Sequence, residues 1–486
     1  MLKRLAKSQT AHRPVSVNRA SLRRLLAVML VVVGAGLVSS AGVSGAWGMS
    51  PSEAIRKAVR TNPDIAAAQA SRRATDKVLE QAIGRYFPEA EINADIGFER
   101  IDRPNGFGPL VNNRWRNRRR ASLNIRQVLF DGFDRLNGRY QAVARIEAAS
   151  YKIMARSEVI ALNVLEAYID VVRHNDLLHL AAQNVKRHER LLALVQARVE
   201  GGRNTTGDLD QARERLQAAR ALVPQIRIAR NTARAKFRRF VGVKPRHLGR
   251  VELPRLGIRS AEAAIHRAVK KNPRLAAMRA EIDVAKFRTD QFRASKAPTL
   301  FLEGSAGIAQ DTDGTPGKSN DLRAMLTMRW KILDGGVRTA RTDELIEREY
   351  EKIAEYDSLV RTTIEQIETA WTRVVDGRKQ VSAIRRQLTQ NRKLVNSYRE
   401  EYEADKRSLL DVLDAENSRF ATEFELSNVS AIRKFSAYQL IAQSDSLLKR
   451  FHIKRPAGVD TSTVNPKVFT RRNVKRAFTI PSLRGD

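Results

Sequence analysis

The chain has no cysteine. That excludes a disulfide framework, thiolate metal sites, a cysteine nucleophile and, for an exported chain, a lipid-modified N-terminal cysteine. Aromatic residues make up only 6% of its 486 residues, and prolines number 15. The length would allow about three ordinary domains. So few aromatics beside 29% charged residues argue instead for long polar helices rather than thick cores. Acidic residues are also in deficit, 53 against 88 Lys and Arg, for a formal charge of +35. Such an excess points first to nucleic acid. Here, however, arginines alternate with glutamates along helical stretches and no aromatic stacking platform accompanies them, so nucleic acid is not an expected partner.

Long hydrophobic runs are missing too, with one exception. Lys3, Arg4, Lys7, Arg13, Arg19, Arg23 and Arg24 precede an uncharged run from Leu25 to Val38, followed by small residues that place Ser44 and Ala46 before Trp47. A basic start, a short apolar run and a small-residue cleavage site describe a secretory signal peptide over residues 1–46. About 14 apolar residues are too few to span a bilayer. Without that segment the charge is +28, and an exported chain does not meet nucleic acid.

What is present is a duplication. Ala54, Ile55, Ala58, Val59, Asn62 and Pro63 recur at a constant offset of 210 as Ala264, Ile265, Ala268, Val269, Asn272 and Pro273. The offset then changes once, to 203, which carries Asp131, Gly132 and Arg135 onto Asp334, Gly335 and Arg338, and Thr205 and Asp208 onto Ser408 and Asp411. One loop therefore differs in length between the copies. The expected organisation is a first repeat over 47–250, a second over 251–455 with a seam near Pro245 to Pro254, and a basic, disordered tail over 456–486.

Each copy reads helix, two strands, long helix, turn, helix. Ile92, Ala94, Ile96 and Phe98 alternate with Glu91, Asn93, Asp95, Gly97 and Glu99; Ala121, Leu123 and Ile125 alternate with Ser122, Asn124 and Arg126. In the second copy Leu300, Leu302, Ala306 and Ile308 form one apolar face, and Leu322, Ala324, Leu326, Met328, Trp330 and Ile332 another. The connections, Pro104 to Asn113 and Asp311 to Asn320, are rich in turn formers. Strands of about 10 residues with one apolar and one charged face fit either a transmembrane barrel or a soluble sheet packed on helices. The signal peptide favours the barrel. Four strands close no barrel, since the smallest have about eight, so that reading requires oligomerisation.

Long helices follow. No proline occurs between Pro109 and Pro224 or between Pro316 and Pro456. An apolar seam runs by threes, fours and sevens from Ile346 to Tyr402, and its first-copy counterpart includes Val164, Val171, Leu178, Val185, Leu192 and Val199. That spacing specifies coiled-coil packing. A helix from Arg338 to Glu403 would be about 100 Å long, more than a compact domain holds. Gly201, Gly202 and Gly207 read as the breaker between antiparallel helices.

Taken together, the duplicated Asn62/Pro63 and Asn272/Pro273 openings, the junctions Leu129 to Gly132 and Leu333 to Gly336, and the segment Ser408 to Ala415 resemble the TolC-like outer-membrane efflux proteins. The resemblance covers about Pro51 to Arg450. It implies a mixed α and β membrane protein: a homotrimer whose three sets of four strands form one 12-stranded barrel in the outer membrane, continuous with a tunnel of coiled-coil helices through the periplasm. It further implies docking to a periplasmic adaptor and an inner-membrane ABC or proton-driven pump, with outer-membrane lipid around the barrel. The function implied is a passive exit duct, for type I protein secretion and/or multidrug efflux. The missing cysteine places the chain nearer the unlipidated secretion branch.

The resemblance also carries site residues. Asp411 and Asp414 match a pair of aspartates ringing the periplasmic entrance, and Tyr402, Arg407 and Asp208 match a lock in which Arg and Tyr bond one carboxylate. Asp411 also reads as a cap of the returning helix. Gly207 and Gln211 depart from the family pattern, leaving the arginine's second acceptor open, with Asp210 as a substitute.

Chemistry of other kinds is not expected. The histidines, among them His174, His179 and His188, lack metal-ligand spacing and read as solvated helix residues; the glycines lack a P-loop's Lys and hydroxyl. No enzyme activity, cofactor or metal is expected. The rival classes are a periplasmic coiled-coil adaptor, which would have a single hairpin flanked by small β domains, and a structural scaffold.

Overall fold

The computed structural model describes residues 48–102 and 113–459. The signal peptide expected over 1–46 and most of the first strand connection and of the tail lie outside the described residues.

The element order repeats. A short helix α1 (Pro51–Thr61) and α2 (Pro63–Gly84) lead into strands β1 (Glu89–Arg100) and β2 (Trp115–Phe130), then a long helix α3 (Asp134–Glu200) and its return α4 (Thr206–Val241). The second copy runs α5 (Ala261–Lys271), α6 (Pro273–Arg293), β3 (Thr299–Gln310), β4 (Lys318–Arg329), α7 (Val337–Glu403) and α8 (Leu409–Ser444), closed by α9 (Leu447–Arg450). Both long helices have 67 residues and both returns have 36, so the offset of 203 read from the sequence is the spacing of whole elements. At 1.5 Å per residue each long helix spans about 100 Å.

Local chemistry sets these boundaries. Asn62 and Asn272 each end one helix and cap the next, their side-chain oxygens accepting from Asp64 N and Arg274 N at 2.9 Å, with Pro63 and Pro273 in the first helical position, where a missing N–H costs nothing. At the strand-to-helix junctions the backbone turns through left-handed residues: Gly132 and Phe133 in one copy, Gly335 and Gly336 in the other. A Cβ on Gly132 would lie 2.5 Å from that of Ala297, so glycine is required there. Asp131 and Asp334 hold the turns by accepting from the backbone N–H and Nε of Arg135 and Arg338.

The four strands form one antiparallel meander in chain order. Its register puts Ile92, Leu123, Ala306 and Leu322 in one row across the sheet, and Glu91, Asn124, Ser305 and Arg323 in the adjacent row on the opposite face. The apolar face is bare: Ile92, Ile96, Phe98 and Leu322 are each at least 75% exposed. β4 ends at Arg329, short of the expected Trp330 and Ile332, because its partner β3 starts at Thr299, directly after Pro298, which has no N–H to extend the ladder. The expected turn through Asn320 is correspondingly shorter, since β4 begins at Lys318. Among the described residues β1 and β4 remain edges without partners.

Along α7 the buried positions Ile367, Val374, Val381, Leu388, Val395 and Tyr402 keep a strict seven-residue period, the seam of a coiled coil with α8. In α3 the buried line is instead Leu177, Ala181, Asn184, His188, Leu191 and Val195, and the expected Leu178, Val185, Leu192 and Val199 are half-buried. The seam is rotated by about one residue because α3 meets both its own return α4 and α8 of the other copy. The largest core lies midway along the long helices. There Tyr168 and Phe237 are fully buried among residues of α1, α4 and α8, and the Tyr168 hydroxyl donates to the carbonyls of Met49 and Gly249; burial pushes it up to about 12. Among the described residues no helix is long and apolar enough to cross a membrane.

Candidate functional site

The ends of the long helices farthest from the sheet carry every site residue named from the sequence. A small core of Leu191, Val195, Ala212, Tyr402, Leu409, Val412 and Leu413 joins four helices there. Both returns start in the same way. Thr205 and Ser408 accept from the backbone N–H of Asp208 and Asp411, each at 3.2 Å. The two carboxylates sit three residues into their helices, where the helix dipole favours negative charge. Asp208 also accepts from the backbone N–H of Thr205 at 3.0 Å, a bond that, with those from the Thr205 hydroxyl and Asn204, holds its carboxyl below the usual range. Ser408, rather than Asp411, is thus the cap of α8, and Asp411 accepts its hydroxyl at 2.7 Å. Asp411 and Asp414, one helical turn apart, both reach solvent, and Asp414 lies 3.7 Å from Arg215 of α4.

Tyr402 and Asp208 come together through a third residue. The Asn204 amide donates to the Tyr402 hydroxyl at 2.9 Å and to Asp208 at 3.1 Å. Arg407 points elsewhere within the protomer: it donates to Glu401 at 2.8 Å, lies 4.0 Å from Asp411 and stacks 4.2 Å from the Tyr398 ring centroid. Hydrogen bonding to Glu401 raises its pKa further. Asp210, the substitute acceptor, pairs with Arg213 instead, and Gly207 lies inside the first turn of α4 rather than in the breaker.

Two groups of residues here went unnoticed in the sequence. The first centres on Arg198. Its Nε donates to Asn204 Oδ1 at 2.8 Å and its Nη1 to the Glu403 carbonyl at 3.2 Å; it pairs with Asp405 and lies 4.8 Å from the Tyr402 ring centroid. Asp405 takes a left-handed conformation where the other copy has Gly202. Aspartate tolerates that geometry, and the substitution supplies the carboxylate that Arg198 meets. The offset could have revealed it: positions 198 and 204 of one copy are 401 and 407 of the other, so each copy bridges its turn by one side-chain pair, Arg198 with Asn204 and Glu401 with Arg407.

The second group lies about 16 Å along α3. Arg187 of α3 reaches Glu416 and Glu423 of α8, both at 3.4 Å, and Arg392 of α7 and Arg419 of α8 reach Glu423 at 3.2 and 3.7 Å. Arg399 pairs with Glu416 as well. The side chains of Arg187, Glu416 and Glu423 are at most 7% exposed. Glu416 and Glu423 fall on the buried stripe of α8 with Leu409, Val412, Leu413 and Phe420, which was the available signal. His188, read as solvated, is buried beside this network, and burial lowers its pKa.

A sheet with a bare apolar face, duplicated helices of about 100 Å and a polar clasp at their far ends are parts of a duct. The family model described as outer membrane efflux protein matches residues 54–243 and 264–442, one block per copy. The chain belongs to the outer membrane efflux protein family. It is 25% identical over 318 residues to the alkaline protease secretion protein AprF of Pseudomonas aeruginosa, covering 63% of this chain and 65% of that protein. It is 23% identical to the outer membrane efflux protein BepC of Brucella suis, covering 85% and 89%. A crystal structure of a membrane protein from Pseudomonas aeruginosa superposes with a TM-score of 0.73 at 18% identity, over 82% of this chain and 90% of that one, and the outer-membrane channel OprN with 0.71 at 19%, over the same shares. As a member of the family the chain is an outer-membrane exit duct, not an enzyme. Its strands lie in the membrane and its long helices extend into the periplasm.

Proposed function

We propose that three copies close their edges, β4 of one on β1 of the next, into a single 12-stranded barrel, and that the duct so formed is the outer part of a type I protein secretion system. The observation that carries the first half is the pair of unpartnered edge strands beside a bare apolar face, since an open edge in lipid leaves backbone groups unsatisfied. The second half is supported by relatives named for secretion of proteases, AprF and the PrtF protein of Dickeya chrysanthemi. Residues 1–46 act as the leader for export, 47–250 and 251–455 as the two structural repeats, and 456–486 as a basic tail.

The energy for transport comes from an inner-membrane pump, reached through a periplasmic adaptor that engages the helical tip. In the closed trimer Asp411 and Asp414 line the entrance as six carboxylates about one axis, a ring that favours bound cations. Tyr402, Asn204 and Asp208 hold the returns in place, and Arg407 braces its own turn beside the ring. A deletion strain tests the cargo: loss of secreted proteins with unchanged resistance to toxic compounds supports secretion, and the reverse pattern means drug efflux. Replacing both ring aspartates, Asp411→Ala with Asp414→Ala, abolishes block by multivalent cations applied from the periplasmic side; persistent block removes the ring.

A further inference from the structure

From Arg227 to Arg274 the chain carries 15 Lys and Arg against two Glu. The stretch covers the second half of α4, the connection after it and α5, and most of its cations are exposed. Among the described residues only Lys236 makes an ion pair, with Glu166 of α3 at 2.6 Å. Arg230, Arg234 and Arg238 stand four residues apart on α4, one above another, and like charges at that spacing destabilise a helix. A merely solvated face mixes both signs. The Asn62 amide donates to the Phe240 carbonyl at 3.3 Å, which sets α1 with its exposed Arg56, Lys57 and Arg60 beside the same surface. The equivalent of Arg234 and Arg238 on α8 is Ala437 and Ile441, both buried, so the charged column of α4 has no counterpart on α8.

The position of this belt identifies what it meets. Glu166, level with Lys236, is 32 residues along α3 from Asp134 at the strand junction, about 50 Å from the membrane, and a similar distance from the tip at Glu200. Lipid headgroups are out of reach, because electrostatic attraction fades within about 8 Å in physiological salt. We propose that the belt binds the carboxylate-bearing glycopeptide mesh of the cell wall, holding the duct where it passes through that layer. A polymer with repeated carboxylates complements a row of unpaired guanidiniums, and many weak contacts along it add by multivalency. The inference rests on the placement of the long helices in the periplasm.

The test uses the purified full-length protein and isolated cell-wall sacculi, with a variant carrying Arg234→Gln, Arg238→Gln, Arg239→Gln and Arg246→Gln, four exposed residues without ion pairs. The wild type sediments with sacculi at low salt and is released at high salt; the variant binds about tenfold more weakly or less. Sacculi whose carboxylates have been amidated bind neither. Wild type that stays in the supernatant, a variant that sediments equally, or undiminished binding to amidated sacculi overturns the proposal. In cells, a photo-crosslinker at Arg238 gives an adduct cleaved by muramidase; a muramidase-resistant adduct with an acidic protein overturns it. Membrane fractionation and channel conductance of both forms, expected unchanged, separate failure of this proposal from failure of the outer-membrane placement.

Discussion

Replacing Arg198 by alanine removes the side chain that makes the most contacts between the end of the α3–α4 hairpin and that of the α7–α8 hairpin. Its guanidinium makes charge-assisted bonds to Asn204 and to the Glu403 carbonyl, pairs with Asp405 and stacks on Tyr402. A hydrogen bond to a charged group contributes about 1.5–3 kcal/mol. The Asp405 carboxylate is 55% exposed, which limits that pair to about 1 kcal/mol or less, and contacts of one group do not add. A total of about 3 kcal/mol follows, equivalent to roughly a hundredfold shift between clasped and unclasped tips. In planar bilayers Arg198→Ala therefore raises the fraction of time spent in high-conductance states by up to about that factor. Arg198→Lys lies between the two, because an ammonium lacks the planar fork that serves two acceptors at once. The reasoning is refuted if Arg198→Ala keeps the wild-type closed level and open time. A fall in melting temperature with unchanged conductance would mean that the clasp supports the fold without restraining the tip.

Other expectations follow from the same geometry. Leu322→Arg, in the middle row of the apolar face, costs about 2–4 kcal/mol in lipid and reduces the heat-modifiable trimer recovered from outer membranes, whereas Asn124→Arg on the opposite face leaves it unchanged. Glu416→Gln with Glu423→Gln strands Arg187, Arg392, Arg399 and Arg419 and destabilises the protein by about 3–5 kcal/mol in denaturant melts; equal midpoints would show the network to be dispensable. Glu158 of α3 is buried and accepts from Ser446 and from the backbone N–H of Leu447 at 2.8 Å, and burial raises its pKa. The native state therefore takes up this proton before the unfolded chain does, so the Glu158 contribution rises as pH falls through the raised folded value and levels off below about 4.5. Asp208, whose pKa is lowered, contributes in the opposite sense: its stabilisation is present above the unfolded value near 3.8 and is lost as pH falls through the folded one. Melts of wild type and Glu158→Gln across mildly acid pH should differ in slope in this direction.

The duplication made most of the fold legible. The offsets of 210 at Asn62/Asn272 and of 203 at Asp131/Asp334 and Thr205/Ser408 mark residues that begin or end elements, and capping and turn chemistry is local enough to survive in sequence. The rotated seam of α3 was not legible, because a heptad pattern states that a stripe is buried without stating how many neighbours surround the helix. The strand pattern could not give the end of β4, since that depends on Pro298 of the partner strand. At the tip, Tyr402 and Asp208 are joined only through Asn204, and Arg407 turns to Glu401. Asn204 and the Arg198 that crosses to the other turn act between elements 198 to 205 residues apart, which no local pattern records.

The asymmetry between the two copies has a mechanical consequence. In the second copy Glu401 and Arg407 satisfy each other across the turn, and Arg407 packs on Tyr398 of the same hairpin, so α7 and α8 are braced from within. In the first copy the bracing arginine, Arg198, spends its remaining donors on the other hairpin, at Glu403 and Asp405. Opening the tip by splaying α7 from α8 would break contacts along a whole buried heptad seam. Moving the pair together away from α3 would break the Arg198 clasp, the Asn204 to Tyr402 bond, the Arg215 to Asp414 contact and the small apolar core of Leu191, Val195 and Ala212 against Tyr402, Leu409, Val412 and Leu413. The tip contacts are fewer than those of the seam, which spans six buried positions from Ile367 to Tyr402, so the α7–α8 hairpin is expected to move as one body. Farther along, Arg187 holds Glu416 and Glu423 in a desolvated site where separation would leave charge buried and unpaired. That network is therefore expected to set the upper limit of any such motion, with the hairpin swinging only between it and the tip.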